Sequence, residues 1–184
     1  MGIWRHLRAI GLLPGVVTLV VPATIVYLTG VVNIGWGLAP PLSWLPLLLG
    51  CVLIALGVLL LYKTISLFAT VGEGTLAPWD PTQRLVVRGV YRYVRNPMIS
   101  GVLSILLGEA DFLGSPPVLI WFLVFFAVNA TYIPLFEERG LASRFGDDYL
   151  AYKRNVPRWI PRLTPWTPGF DERRREQEKP GNQG

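Results

Sequence analysis

The sequence predicts an all-α, polytopic membrane protein with about four transmembrane helices. Of its 184 residues, 52% are hydrophobic and only 16% are charged, whereas a soluble domain carries about 25% charged residues. Long uncharged runs recur along the chain, and the basic residues flank these runs. Too few charges remain to cover a soluble surface, and the chain length favours a single domain.

Four apolar runs account for the predicted helices. Residues 12–32 and 42–61 are each long enough to cross a hydrocarbon core of ~30 Å, and the second helix could continue past Lys63. Residues 96–108 reach only ~20 Å as a helix, so this third helix must tilt or lie partly inside the protein. Residues 112–136 form the fourth run. Its start is interrupted by the sequence GSPP, which predicts a hairpin between the third and fourth helices.

The charges of the loops predict the topology. Residues 1–10, 72–95 and 137–184 are rich in Arg and Lys, whereas residues 33–41 are uncharged and residues 109–117 carry only acids. Cytoplasmic loops of membrane proteins are the basic ones. The alternation predicts four crossings of the cell membrane, with both termini in the cytoplasm.

An amphipathic helix is expected after the fourth crossing. Leu141, Phe145, Tyr149 and Tyr152 follow a helical spacing that places them on one face, and Glu138 falls on the same side. We expect one domain over residues 1–168, followed by a disordered cytoplasmic tail over residues 169–184, which is polar and of mixed charge.

Composition excludes several kinds of site. The chain has one cysteine, Cys51, and one histidine, His6, so it can form neither an internal disulfide nor a His/Cys zinc site, and we expect no metal. The net charge of +5 arises from basic residues beside apolar runs. Membrane lipids are therefore the expected partners, and nucleic acid is not.

Two predicted cytoplasmic segments contain residue patterns that a simple linker would not need. In the first, RGVYRYVRNPMISG (residues 88–101), the arginines together with Arg84 repeat at helical spacing. Such arginines could simply anchor a helix at lipid phosphates. That role does not explain the sequence RNP followed by Gly101, a pattern that sets a turn and lets a helix begin close to a neighbour.

The second segment begins with Glu137 and Glu138, directly after the fourth apolar run. Carboxylates at membrane depth are costly and tend to be functional. They could hold a cation or accept a proton.

These segments together resemble the isoprenylcysteine carboxyl methyltransferase and phospholipid methyltransferase family. The first matching stretch is Gly89-Val90-Tyr91 with Arg95-Asn96-Pro97-Met98-Ile99-Ser100-Gly101. The second is Glu137-Glu138, Leu141, Phe145-Gly146, Tyr149, Tyr152 and Val156-Pro157. The similarity covers about residues 75–161, which would be the cofactor part of the domain.

The resemblance implies an enzyme that uses S-adenosylmethionine (SAM) at the cytoplasmic membrane face. Arg95 and Glu138 are the catalytic candidates that it implies. The cofactor-binding residues that it implies are Gln83, Arg84, Leu85, Val86, Tyr91, Asn96, Pro97, Met98, Ile99 and Glu137. The acids suit the cationic groups of SAM, Arg95 suits its carboxylate, and Tyr91 offers a face for adenine.

Three positions depart from the family pattern. The family histidine is Asn96 here, and its second tyrosine is Ile99. An arginine that prenylcysteine enzymes carry one turn before the first glutamate is Ile133. Asparagine can donate and accept hydrogen bonds but cannot act as a base at neutral pH.

The expected function is methyl transfer to a lipophilic acceptor, either a small molecule or a prenylated one. The acceptor could be a lipid amine, a thiol or a carboxylate. One alternative is a non-enzymatic scaffold or lipid-binding protein that keeps the fold. Another is a reductase, because some sterol reductases share a similar C-terminal scaffold, although no clear clamp for the 2′-phosphate of NADPH is visible.

Overall fold

A computed structural model describes residues 11–71 and 85–167, and these residues are helical without any strand. A π-helical segment, Gly11–Val20, leads into α1 (Val21–Thr29). The next three helices are α2 (Trp44–Val71), α3 (Pro97–Leu113) and α4 (Pro116–Tyr132). A π-helical turn, Ile133–Glu137, then joins α4 to α5 (Glu138–Asn155). The predicted all-helical class is confirmed for this part of the chain.

Among the residues that the structure describes, two stretches are long and apolar enough to cross a membrane, namely Trp44–Leu67 and Pro116–Asn155. The second is longer than a crossing requires, and its charged residues begin only at Glu137. We therefore take α4 as its membrane part and α5 as lying beyond it. A shorter apolar helix covers Pro14–Thr29. These helices fit a membrane protein, while the number of crossings and their orientation stay predictions.

Glycines allow α2 and α3 to approach closely. A Cβ atom added to Gly57 would lie 2.6 Å from the carbonyl oxygen of Gly101, and one added to Gly50 would lie 2.7 Å from that of Gly108. Such distances are too short for any side chain, so backbone packs on backbone. The expectation that Gly101 lets α3 begin close to a neighbour is confirmed.

Helices α3 and α4 are joined by only two residues, as the predicted hairpin requires. Gly114 has a positive φ of 57°, and the Ser115 hydroxyl donates to the Val31 carbonyl over 2.7 Å. The Trp36 indole donates to the Asp111 carbonyl over 3.1 Å. The segment after α1 therefore closes this end of the bundle. We call the opposite end, where α3 begins and α4 ends, the polar end.

The amphipathic helix differs from the prediction in one respect, because α5 is bent at Gly146. This residue has φ 52° and ψ −130°, a conformation that only glycine adopts readily. Tyr149 and Tyr152 are buried with Val156 and Trp166. Leu141 and Phe145 pack against this cluster, so the predicted apolar residues do meet, but across a bend rather than along one straight face.

Within residues 85–96, the arginine-rich segment before α3 is not an α-helix, despite the spacing of its arginines. Only one 3-10 turn forms there, Gly89–Arg92, and Gly89 at its start has a positive φ of 54°. The predicted tail over residues 169–184 lies outside the described residues.

Candidate functional site

A short segment of residues 85–96 at the polar end is held by the last part of the described chain, residues 156–167, which we call the strap. The Arg95 amide donates to the Pro157 carbonyl over 2.9 Å, and the Arg162 amide donates to the Tyr93 carbonyl over 3.0 Å. The Trp166 amide donates to the Arg92 carbonyl over 2.9 Å. The strap thereby fixes the backbone that leads into α3.

Glu138 is the centre of an ion-pair cluster at this end. Its Oε1 atom lies 2.8 Å from Arg95 Nη1 and 2.7 Å from Arg158 Nε, and its Oε2 atom lies 2.8 Å from Lys153 Nζ. The Glu138 side chain is only 3% exposed. One buried carboxylate therefore neutralises part of the charge of three basic side chains.

The bend at Gly146 explains how Lys153 reaches Glu138. Fifteen residues along a straight helix would separate the two side chains by ~22 Å, yet they form an ion pair of 2.8 Å. The second half of α5 must therefore fold back toward the first. A local backbone conformation available to glycine builds this part of the site.

The environment of Glu138 keeps it ionised. Burial would by itself raise the pKa of this carboxyl group, but hydrogen bonds from Arg158 and Lys153 and the positive charges of Arg95 and Arg158 lower it below its ordinary value. Because the carboxylate is already paired with three cations, it is poorly suited to take a proton from an acceptor near neutral pH.

Arg95 is equally engaged. Its Nε atom donates to the Val156 carbonyl over 2.8 Å and its Nη1 atom to the Tyr149 hydroxyl over 3.3 Å, in addition to the Glu138 pair. Burial and the Glu138 charge raise the pKa of Tyr149 to about 12, against the opposing effect of Arg95. The guanidinium group joins the segment before α3 to α5 and the strap.

Glu137 differs from its neighbour in being exposed. Burial of Tyr91 raises the pKa of its phenol, and the negative charge of nearby Glu137 raises it further. The Tyr152 hydroxyl donates to the Tyr91 carbonyl over 2.7 Å, which fixes the backbone at Tyr91. The Tyr91 phenol and the Glu137 carboxyl group therefore lie near each other beside the ion-pair cluster, and partial burial together with the Glu138 charge raises the pKa of Glu137.

The first turn of α3 completes this region. Asn96 precedes the helix. Its backbone amide donates to the Arg158 carbonyl over 3.3 Å, and its backbone carbonyl accepts from the Ser100 amide over 2.9 Å. Pro97 is buried at the first helical position, where its missing N–H costs no hydrogen bond. Met98 and Ile99 are half-buried on the same turn.

The structure gathers Tyr91, Arg95, Glu137 and Glu138 at one end, next to the turn that begins with Asn96. Among the loop residues predicted to line the pocket, Leu85 packs against the tyrosine cluster and Val86 is half-buried. Gln83 and Arg84 lie outside the described residues.

Sequence reasoning missed Lys153 and Arg158 as partners of Glu138. A basic sequence, KRNVPR, directly after the second tyrosine of the motif was the available signal. Within residues 11–71 and 85–167, no three His, Cys, Asp or Glu side chains are grouped so that they could hold a metal ion.

Comparisons with known proteins give the family of this chain. The model of the phospholipid methyltransferase family matches residues 45–148, more than half of the chain. A curated relative, methanethiol S-methyltransferase 2 of Bradyrhizobium diazoefficiens, is 34% identical over 93 residues, which are 49% of this chain and 31% of the relative. The match thus spans about a third of the length of that relative. The chain belongs to the phospholipid methyltransferase family of membrane methyltransferases.

Proposed function

We propose that the protein transfers a methyl group from SAM to a lipophilic acceptor at the cytoplasmic face of the membrane. Membership of a methyltransferase family supports the reaction class. The proposal rests on the different environments of two adjacent acids. Glu138 is buried among three cations, while Glu137 is exposed beside Tyr91.

The residues at the polar end suit SAM by their chemistry. The Glu137 carboxylate would attract the ammonium or sulfonium group, and the Tyr91 ring offers a stacking face for adenine. Asn96 supplies hydrogen-bonding groups, and Pro97, Met98 and Ile99 supply apolar contacts. Leu85 and Val86, with Gln83 and Arg84 before them, would complete the lining.

When bound, SAM supplies a methyl group that its positive sulfur already activates. The tasks left to this chain are to orient the reactants and to exclude water. Glu137 could also take the proton of a thiol or amine acceptor onto its carboxylate. For Arg95 and Glu138 we propose positioning roles, because both are occupied by contacts within the protein.

Three chemical classes of methyl acceptor are compatible with the proposed reaction. The family name points to phospholipids, the relative's name points to a small thiol, and the motif resemblance points to a prenylcysteine carboxylate. These acceptors are lipophilic or small and neutral, and each could reach the polar end from the bilayer. A lipophilic acceptor is therefore the common proposal.

Purified protein in lipid nanodiscs should transfer label from methyl-labelled SAM to at least one of three acceptors. These are phosphatidylethanolamine, a long-chain alkanethiol and a prenylcysteine, which test amine, thiol and carboxylate chemistry. The Glu137→Ala variant serves as the control for label transfer at this site. Absence of both SAM binding by titration calorimetry and labelled product would favour the non-enzymatic scaffold.

The cytoplasmic placement of the site needs a separate experiment. In a Cys51→Ala background, Ile34→Cys probes the exposed segment after α1, and Gly140→Cys probes α5. An impermeant thiol reagent applied to intact cells should label the first position only. Labelling of Gly140→Cys in sealed cells would reverse the proposed orientation.

A further inference from the structure

The strap carries two large apolar side chains that no other part of the described residues, 11–71 and 85–167, covers. Ile160 is 78% exposed and Leu163 is 99% exposed. Both lie outside the apolar helices that are long enough to cross a membrane. Exposure of these apolar side chains to water would cost free energy, so the environment that surrounds them needs an explanation.

Contacts of the strap with α3 and α4 show at which depth it lies. The Ser100 hydroxyl donates to the Trp159 carbonyl over 3.1 Å, and Ser100 is three residues, or about 4.5 Å, inside α3. The Trp159 ring lies 6.0 Å from that of Phe126, which is six residues, or about 9 Å, before the end of α4. Trp159 therefore lies beside α3 and the apolar helix α4, about one to two turns from their ends, where an interfacial tryptophan is expected.

Positive charge surrounds the same place. Arg158 immediately precedes Trp159, and its side chain is 24% exposed, while that of Lys153 is 43% exposed. Both share the single carboxylate of Glu138 with Arg95. Residues 85–96 and 137–167 together contain nine Lys or Arg and four Asp or Glu, so this excess is not local to one pair.

We infer that residues 158–163 of the strap, together with Lys153, form an interfacial binding site for an anionic phospholipid of the adjacent leaflet. Ile160 and Leu163 enter the acyl-chain region, and Trp159 lies at the boundary. Lys153 and Arg158 meet the lipid phosphate with the donors that Glu138 leaves unused. A lipid without net charge on its headgroup would not balance the excess of Lys and Arg side chains at this site.

Lipid binding at the strap does not depend on methyl transfer. Since the strap also forms hydrogen bonds with the backbone at Arg95 and Asn96, a bound lipid would stabilise the backbone that leads into α3.

Depth is the first quantity to measure. Leu163→Cys in a Cys51→Ala background should carry a spin label in nanodiscs without disturbing the fold, because Leu163 is fully exposed. We expect its relaxation to respond more to oxygen than to a water-soluble nickel chelate. Gly140→Cys is the matched control, since a Cβ there meets no atom within 4 Å, and it should show the opposite order. A nickel response at Leu163→Cys equal to that of the control would overturn the inference.

Lipid selectivity is the second. A fluorophore on Leu163→Cys should be quenched more by brominated phosphatidylglycerol than by brominated phosphatidylcholine. Lys153→Gln should reduce this preference by about fivefold, and Arg139→Gln, which removes an exposed cation outside the strap, should not. Equal quenching by the two lipids would refute the site, as would displacement of the lipid by millimolar inorganic phosphate, which would show a site for free anions.

Discussion

Arg95 and Glu138 lie 43 residues apart in the chain, yet their side chains form an ion pair of 2.8 Å that is almost fully buried. The pair joins the segment before α3 to the beginning of α5. The two residues flank the proposed cofactor region, so the geometry of the site depends on this contact. Breaking a buried pair leaves an uncompensated charge, which makes Glu138 and Glu137 an informative comparison.

Glu138→Gln should destabilise the protein by roughly 3 kcal/mol, because it leaves Arg95 without a counter-ion in a buried position. Glu137→Gln should change stability by less than about 0.5 kcal/mol, since its side chain is exposed. Thermal unfolding of both variants in the same detergent would measure the difference. Equal stability of the two variants would contradict the assignment of Glu138 as the structural acid.

The same comparison predicts a dependence on pH. The pKa of Glu138 is lowered in the folded protein, so its contribution to stability is complete above the unfolded pKa of ~4.3 and is lost as the pH falls through the folded value. The melting temperature of the wild type should therefore approach that of Glu138→Gln below about pH 4. A constant difference between the two proteins from pH 7 to pH 3.5 would contradict this.

Glu137→Ala and Tyr91→Ala should each weaken SAM binding by more than tenfold, which is about 1.4 kcal/mol. The reason is that these residues offer an accessible carboxylate and an aromatic face beside the start of α3. Titration calorimetry on monodisperse protein would measure the affinity, with Arg139→Ala as a control for an exposed charge next to the pair. Wild-type affinity in both folded variants would place the cofactor elsewhere.

Asn96 tests whether the family histidine is replaced in function. If the side chain serves as a hydrogen-bond partner, Asn96→His should keep methyl transfer within about tenfold, and Asn96→Leu should cost roughly 1–3 kcal/mol. Rates should be measured from pH 5.5 to pH 8.5. A large gain in Asn96→His that grows above pH ~6.5, where imidazole is neutral, would instead show that a proton acceptor is missing in the wild type.

Gly146→Ala tests the bend in α5. Because the backbone there has φ 52° and ψ −130°, a Cβ atom should cost roughly 1–3 kcal/mol, although it would meet no neighbouring atom. Gly140→Ala, at a helical position with equal space, should be neutral or slightly stabilising. Thermal unfolding of the two variants gives the comparison, and similar melting temperatures would argue against the bend.

Composition and pattern alone determined the class of this protein. An uncharged run of about 20 residues has few favourable structures other than a membrane helix, because its backbone must satisfy its own hydrogen bonds in lipid. The same reasoning located α2, α3 and α4 and the hairpin at Gly114. The two composite motifs were enough to indicate the methyltransferase family.

Tertiary structure decided which residues meet and which of them remain accessible. The sequence presents Glu137 and Glu138 as equals, and only the approach of Arg95, Lys153 and Arg158 separates a buried, paired carboxylate from an exposed one. Spacing suggested a straight helix through Gly146, whereas the backbone there turns and brings Lys153 back to Glu138. Local patterns specify helices through short-range hydrogen bonds, but ion pairs between distant residues depend on how those helices pack.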